Sequence, residues 1–287
     1  MKYEERHFNN ELKNYLACYW KFEIPAAFGS ASSKTMLPDG CASLVYYTNS
    51  ITNDSWLRFA GPRARNFSVP VFAGSNYYGI RFSPGAINSF FYISGNQLRD
   101  KFIDAELLLD SHSISLIKKG LLQSFVNPTV IESLLLQLFK IRNNNPDKNV
   151  NTLVNRIISH EGNVKINELV GDSSLSERQL QRKFKSAVGL TIKEFARIRR
   201  IYSVVIKLFV QHKISIEAIL EGGYFDHSHF SKDFLKTTSL SANQFKRIIK
   251  YIHENNSKNA DGHFLGNNTV EKCRIITIQE SNRVLVS

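Results

Sequence analysis

LSERQLQRKFKSAVG, residues 175–189, is the stretch on which the reading of this chain turns. Leu180, Phe184, Ala187 and Val188 stand at i, i+4, i+7 and i+8, one apolar stripe at helical period. Ser176 and Gln179 form S-x-x-Q, a capping box that satisfies the first amides of such a helix. The opposite face carries Arg178, Gln181, Arg182 and Lys185, basic and short of acidic partners. A shorter helical pattern, KINELV, and a turn, GDSS, come just before it. Short helix, tight turn and second helix is the helix-turn-helix order, which aims the outer face of the second helix into a DNA major groove. Arg and Gln suit guanine and adenine edges in bidentate fashion, and Lys suits phosphate.

The unit has a partner 50 residues on. Leu180 pairs with Phe230, Ile166 with Ile216, Phe184 with Phe234, Leu190 with Leu240 and Phe195 with Phe245. Arg197 and Ile198 likewise pair with Arg247 and Ile248. Matches that fall mainly on apolar positions mark two copies of one helical unit. In the second copy Asp226 is the expected N-cap, and the outward set becomes Ser228, Ser231, Lys232 and Leu235, with His227 beside it. This face is less basic, so it is expected to make fewer base contacts or to depend on DNA shape. His227 and His229, two apart on a helix, point in different directions and do not suit shared metal ligation; packing within the domain is expected of His229.

Outward from this core, IRNNNPDKNVN, residues 141–151, breaks the apolar pattern and marks a boundary. Upstream, ASLVYY, WLRFAG, FSVPVFAG and YYGIRF read as short strands. PGAINSFFYISG, the stretch around AELLLD, and TVIESLLLQLFKI read as helices or partial helices. The expected organisation is a β-rich domain over 1–145, a helical domain of about seven helices over 146–252, and a flexible tail over 253–287. Within the tail, KCRIITIQ and NRVLVS alternate like strands, which leaves a hairpin added to the N-terminal sheet and a disordered end both open. The fold class is thus α+β, a small barrel or sandwich with a helical appendage, followed by an all-α domain with two helix-turn-helix units.

The charge agrees with this reading. The chain carries 37 Lys+Arg against 25 Asp+Glu, a formal +12. Between Lys148 and Lys250 there are 18 basic and 9 acidic residues, a net +9 within the helical half. Such a field favours polyanions. No apolar run reaches the ~18 residues of a spanning helix, and MKYEERHFNNELKNY is too charged for a secretory signal, so a cytoplasmic protein is expected. Cys18, Cys41 and Cys273 show neither a disulfide framework nor a zinc spacing. With no G-x-S-x-G elbow, phosphate loop or HExxH motif, neither an enzyme nor a cofactor is expected. A DNA-binding module on an enzymatic domain, such as an alkyl acceptor using a cysteine, is the competing class. Against it, Cys18 and Cys41 lie in apolar surroundings without a basic cluster. A regulator acting mainly by protein contacts also stays open.

Residues 151–252 resemble the AraC/XylS family of bacterial transcriptional regulators. LSERQLQRKFKSAVGLTIKEFARIRR is similar to that family's first recognition helix and the start of its linker helix. GYFDHSHFSKDF is similar to its G-[FY]-x-D-x-S-H-F-x-[RK]-x-F signature. The resemblance implies two recognition helices either side of the linker FARIRRIYSVVIKLFV, set ~34 Å apart on one face of double-stranded DNA. It further implies RNA polymerase as a partner. LACYWKFEIPA, MLPDGCASLVYY, FAGPRA and GIRFSPGAINSFF resemble the sensor-side domain of some members. That region is often a cupin-like barrel for a small-molecule effector or for homodimerisation, neither of which the sequence identifies. Asp39, Gly40 and Arg81 are its first candidate residues, although Pro38-Asp39-Gly40 also reads as an ordinary turn between strands. Five features depart from the family. Ile192 and Ala242 stand where Pro is usual, so looser helix starts are expected. Ser239 and Ser174 replace turn glycines, and the stretch from Ile219 to Gly223 is one residue short, so a differently packed second unit is expected.

Overall fold

The computed structural model describes residues 2–8, 11–27, 32–165, 169, 175–211, 215–245, 247 and 275–276. The strands are β1 (Lys2–Arg6), β2 (Leu16–Glu23), β3 (Ser32–Met36), β4 (Ser43–Asn49), β5 (Ser55–Ala60), β6 (Phe67–Val71), β7 (Ser75–Phe82), β8 (Phe102–Asp104) and β9 (Ile275–Ile276). The helices are α1 (Gly95–Leu98), α2 (Ser111–Gln123), α3 (Thr129–Arg142), α4 (Lys148–Ser159), α5 (Glu177–Val188), α6 (Ile192–Gln211), α7 (Ile216–Glu221) and α8 (His227–Thr238).

Six strands form an antiparallel sheet in the order β1-β2-β7-β4-β5-β8, and β6-β3-β9 form a second. Alternation along each strand divides the side chains between two cores. Leu44, Tyr46, Leu57, Phe59, Ile80 and Phe82 point to one face, where Ile114, Ile117 and Leu121 of α2 and Ile131 and Leu135 of α3 cover them. Val45, Tyr47 and Tyr77 point to the other, where they pack with Trp20, Trp56 and the Val69 and Val71 of β6. The large sheet is therefore buried on both sides, by helices on one and by the small sheet on the other.

Two stretches read as helix from sequence form less. PGAINSFFYISG gives only a 3-10 turn at Ile87–Ser89 and the single turn of α1. Phe90, Phe91 and Ile93 are all buried in the core, which suits an irregular path rather than one amphipathic stripe. AELLLD gives a 3-10 turn at Ala105–Leu107. Conversely α2 escapes the sequence reading. Its interior Gly120 obscures the pattern, and the structure shows why it is there: Ile131 of α3 lies 3.0 Å from where a Cβ would stand. In the tail, Ile275 and Ile276 pair antiparallel with Met36 and Thr35 of β3, while NRVLVS lies outside the described residues.

The helical half has two cores, one per unit. Leu153, Ile157, Leu180, Phe184, Leu190 and Phe195 form the first. Val204, Leu208, Ile219, Phe230, Phe234 and Phe245 form the second, and Leu37, from the β-rich region, joins it. The 20-residue α6 runs through both. The β-rich region meets the first unit at its tightest point. A Cβ on Gly95 would run into the carbonyl of Ala187, and one on Gly189 into the carbonyl of Gly95. Beside this crossing, Arg99 Nη2 lies 2.7 Å from Glu194 Oε1, and Arg99 Nη1 donates to Glu194 Oε2 at 3.0 Å and to the Gly189 carbonyl at 3.3 Å.

Burial opposes ionisation of Glu194, but the Arg99 guanidinium and the amide and hydroxyl of Thr191 outweigh it and hold the carboxyl at about 2. A carboxylate held below its ordinary 4.5 contributes its full stability above that pH and loses it as the pH falls toward about 2. Glu194→Gln should therefore lower unfolding free energy at pH 7, by about 0.5–1 kcal/mol given solvent screening of a partly open pair. Denaturant titrations should find that difference shrinking as the pH approaches 2. Gly95→Ala should cost about 1–3 kcal/mol by overpacking, read as a lower thermal midpoint.

Candidate nucleic-acid interface

The first recognition helix, α5, begins with the capping box expected of it. The Gln179 amide donates to Ser176 Oγ at 3.4 Å, and the Ser176 amide donates to Gln179 Oε1 at 3.1 Å. Leu180, Phe184 and Val188 are buried, which leaves Arg178, Gln181, Arg182 and Lys185 exposed on the outer face. Within that face Gln181 Nε2 donates to Glu177 Oε1 at 2.8 Å, so a base edge would have to compete with Glu177 for the amide. Lys183 lies off the face and pairs with Asp147 at 2.6 Å. Asp147 also caps α4, accepting from the amides of Asn149 and Val150, so one carboxylate ties α4 to the flank of α5. KINELV and GDSS fall almost wholly outside the described residues, Lys165 and Leu169 excepted.

The 50-residue offset holds in three dimensions and extends beyond the matched apolar positions. Both recognition helices are 12 residues long, with N-caps at Ser176 and Asp226 and left-handed C-caps at Gly189 and Ser239. Asp226 accepts from the His229 amide at 2.7 Å, as its place in the repeat requires. His227, Ser228, Lys232 and Leu235 are exposed. Ser231 is half-buried, with its hydroxyl 3.2 Å from His227 Nδ1, and is the least available member of the set. His229 packs its ring against Tyr224 at 5.0 Å and Phe225 at 6.0 Å.

The expected looseness at Ile192 and Ala242 is corrected by the structure. Thr191 and Glu194 form a capping box ahead of α6, the Thr191 amide donating to Glu194 Oε2 at 2.8 Å and the Glu194 amide to Thr191 Oγ1 at 3.2 Å. Fifty residues on, Ser241 and Gln244 do the same, at 2.8 and 3.1 Å. Reciprocal hydrogen bonds fix these starts where proline would fix φ. Ile192 and Ala242 are themselves buried in the two cores. Of the linker arginines, Arg200 is not turned outward: it lies 3.4 Å from Asp233 of α8 and 4.7 Å over the Tyr224 ring. It joins α6 to the second unit.

Arg81 and Asp39 come together, and not merely as parts of a turn. Arg81 Nε lies 2.9 Å from Asp39 Oδ2, with Nη1 3.6 Å from Glu5 Oε2 and 3.3 Å from Cys18 Sγ. Burial disfavours this guanidinium's charge, but the surrounding Cys18, Tyr3, Asp39 and Cys41 raise its pKa well above the ordinary value. Asp39 thereby pins the loop between β3 and β4. Gly40 of that loop, at φ 77°, presses on the Phe195 ring of α6, 2.6 Å from where a Cβ would stand. Neither that contact nor the Arg99–Glu194 pair is legible in the local residue pattern.

Residues 169–248 match a family model described as a helix-turn-helix domain, and residues 7–104 match one described as a domain of unknown function, DUF6597. The HTH-type transcriptional regulator MtrA of Neisseria gonorrhoeae is 28% identical over 102 residues, which are 35% of this chain and 34% of that protein. The chain thus spans about a third of that relative's length. Among solved structures, ToxT of Vibrio cholerae superposes with a TM-score of 0.43 at 11% identity, covering 80% of this chain and 98% of that one. An unsaturated fatty acid-bound form of ToxT gives 0.40 at 12% identity, covering 82% and 95%. Among the described residues no helix is long and apolar enough to cross a membrane. Residues 169–248 of this chain are a helix-turn-helix domain.

Proposed function

We propose that this protein is a sequence-specific DNA-binding transcriptional regulator, with its specificity carried mainly by α5. The single observation behind this is the exposed Arg178, Gln181, Arg182 and Lys185 face, rigidly started at Ser176 and repeated in position, with weaker chemistry, on α8. Arg178, Gln181 and Arg182 are assigned to base edges and Lys185 to phosphate; His227, Ser228, Ser231 and Lys232 supply the second, poorer contact. The division of labour is a regulatory domain over 1–145, a reading domain over 146–252 and a tail beyond. Double-stranded DNA is the partner, RNA polymerase the recipient of the regulatory signal, and the compartment the cytoplasm.

Control through the β-rich domain belongs to the same reading, by a small-molecule effector or by dimerisation. A cleft of about 450 Å³ is lined by Lys13, Tyr15 and Ser83 on one side and by Asn151, Val154 and Ile158 of α4 on the other. A small molecule there would touch both regions at once.

The test is selection of binding sites from random duplexes by the purified protein, with Arg182→Ala in parallel. The expected result is a motif of roughly 16–20 bp with two informative blocks about one helical turn apart. Arg182→Ala should lose preference within one block, at about 1–3 kcal/mol, whereas Lys185→Ala should weaken all sequences alike. One block alone would demote α8 to phosphate contact or packing. No enrichment at all would refute the reading and favour a protein that works through protein contacts.

A further inference from the structure

Ser239 departs from the family pattern in a way that the structure accounts for. It ends α8 in the left-handed conformation, φ 56°, where its counterpart Gly189 ends α5 at φ 83°. Glycine takes that conformation without steric penalty and serine does not. What serine brings, and glycine cannot, is a hydroxyl, and here it is used. Ser239 Oγ donates to Asn66 Oδ1 at 3.1 Å, and the Asn66 amide donates to the Thr237 carbonyl at 2.8 Å. Asn66 lies in the β-rich region, in the loop of residues 61–66 between β5 and β6. The C-terminal end of the second recognition helix is therefore hydrogen-bonded to the other region of the protein.

The same loop also holds the first helix. Pro62 Cγ stands 2.7 Å from where a Cβ on Gly189 would be. Gly61 and Pro62 are fixed in turn: the Gly61 amide donates to the Lys101 carbonyl at 3.0 Å, and the Pro62 carbonyl accepts from the Asp100 amide at 3.1 Å. Ala64, midway, packs against the core of the first unit. One six-residue loop thus touches the C-terminal ends of both recognition helices, at Pro62 and at Asn66.

We propose that loop 61–66 is a strut that sets the separation and mutual angle of α5 and α8, and that Asn66 and Ser239 are positioning residues for spacing. They would touch no base. They would decide how far apart the two base blocks lie, and they give the β-rich domain a direct hold on operator choice. The consequence for DNA rests on the reading given under Proposed function; the strut itself does not.

Two measurements separate those claims. In the first, spin labels on Arg182→Cys and Lys232→Cys, in a full-length chain with Cys41 and Cys273 replaced by Ser, report the α5–α8 distance without DNA. A single narrow distribution is expected, broadened by Asn66→Ala combined with Ser239→Gly and kept narrow by Asn66→Asp, which retains the acceptor. An unchanged distribution in the double variant overturns the assignment of Asn66 and Ser239 as positioning residues, whatever the protein binds. In the second, the selected duplex is compared with duplexes carrying one base pair inserted or deleted between the blocks. The unaltered chain should prefer its own spacing by about tenfold and the double variant by less than about threefold, with block sequences unchanged. Equal spacing preference in both overturns the specificity role. A failure of the unaltered chain to select any motif refutes the DNA reading and leaves the distance measurement to decide the strut.

Discussion

Two backbones cross at Gly95 and Gly189 with no room for a side chain on either. Such a contact leaves little freedom, because a backbone cannot rotate out of the way as a long side chain can. It fixes the end of α5 against the β-rich region, and the Arg99–Glu194 pair fixes the start of α6 a few residues further on. Everything these two helices present to solvent is aimed from that crossing. The outer face of α5 is thus not carried by an independent helical domain, because contacts with the β-rich region fix the end of its helix.

Charge is used in two ways. On α5 it is left exposed, with Arg178, Arg182 and Lys185 turned to solvent and their nearest ordering element a neutral capping box. In the β-rich region it is buried and compensated, the Arg81 guanidinium lying between Asp39, Glu5 and Cys18. A buried ion pair adds little net stability but penalises any arrangement that leaves one partner alone. Its result here is to hold the Asp39-Gly40 loop in one place, and Gly40 rests on Phe195 in the middle of the helical half. The two regions are therefore coupled at Gly40, at Gly189 and at Asn66.

Much of the helical half was legible in the sequence, because its information is local. Capping boxes, the 3.6-residue stripe and the 50-residue repeat all lie within short windows. The repeat was more faithful than the identities suggested: Thr191 with Glu194 and Ser241 with Gln244 share a role that no residue match shows. The β-rich half was legible only where strands alternate clearly, as in β4 and β7. β1, β2, β3 and β8 went unread, and α2 was hidden by Gly120, whose reason lies in Ile131 of another helix. The candidate face on α5 could be read from residue chemistry alone. The engagement of Arg200 with Asp233 and the tie from Ser239 to Asn66 could not, since both depend on residues 33 and 173 positions apart.

The central claim is that the outer face of α5, held in this orientation, distinguishes one DNA sequence from another. It is tested most directly by the affinity of the purified protein for its selected duplex and for a scrambled duplex of equal length, across a range of salt concentrations. Both should weaken as salt rises, because phosphate contacts release counterions, and the selected duplex should stay bound about a thousandfold more tightly or better. Equal affinities for the two duplexes at every salt concentration would contradict the account.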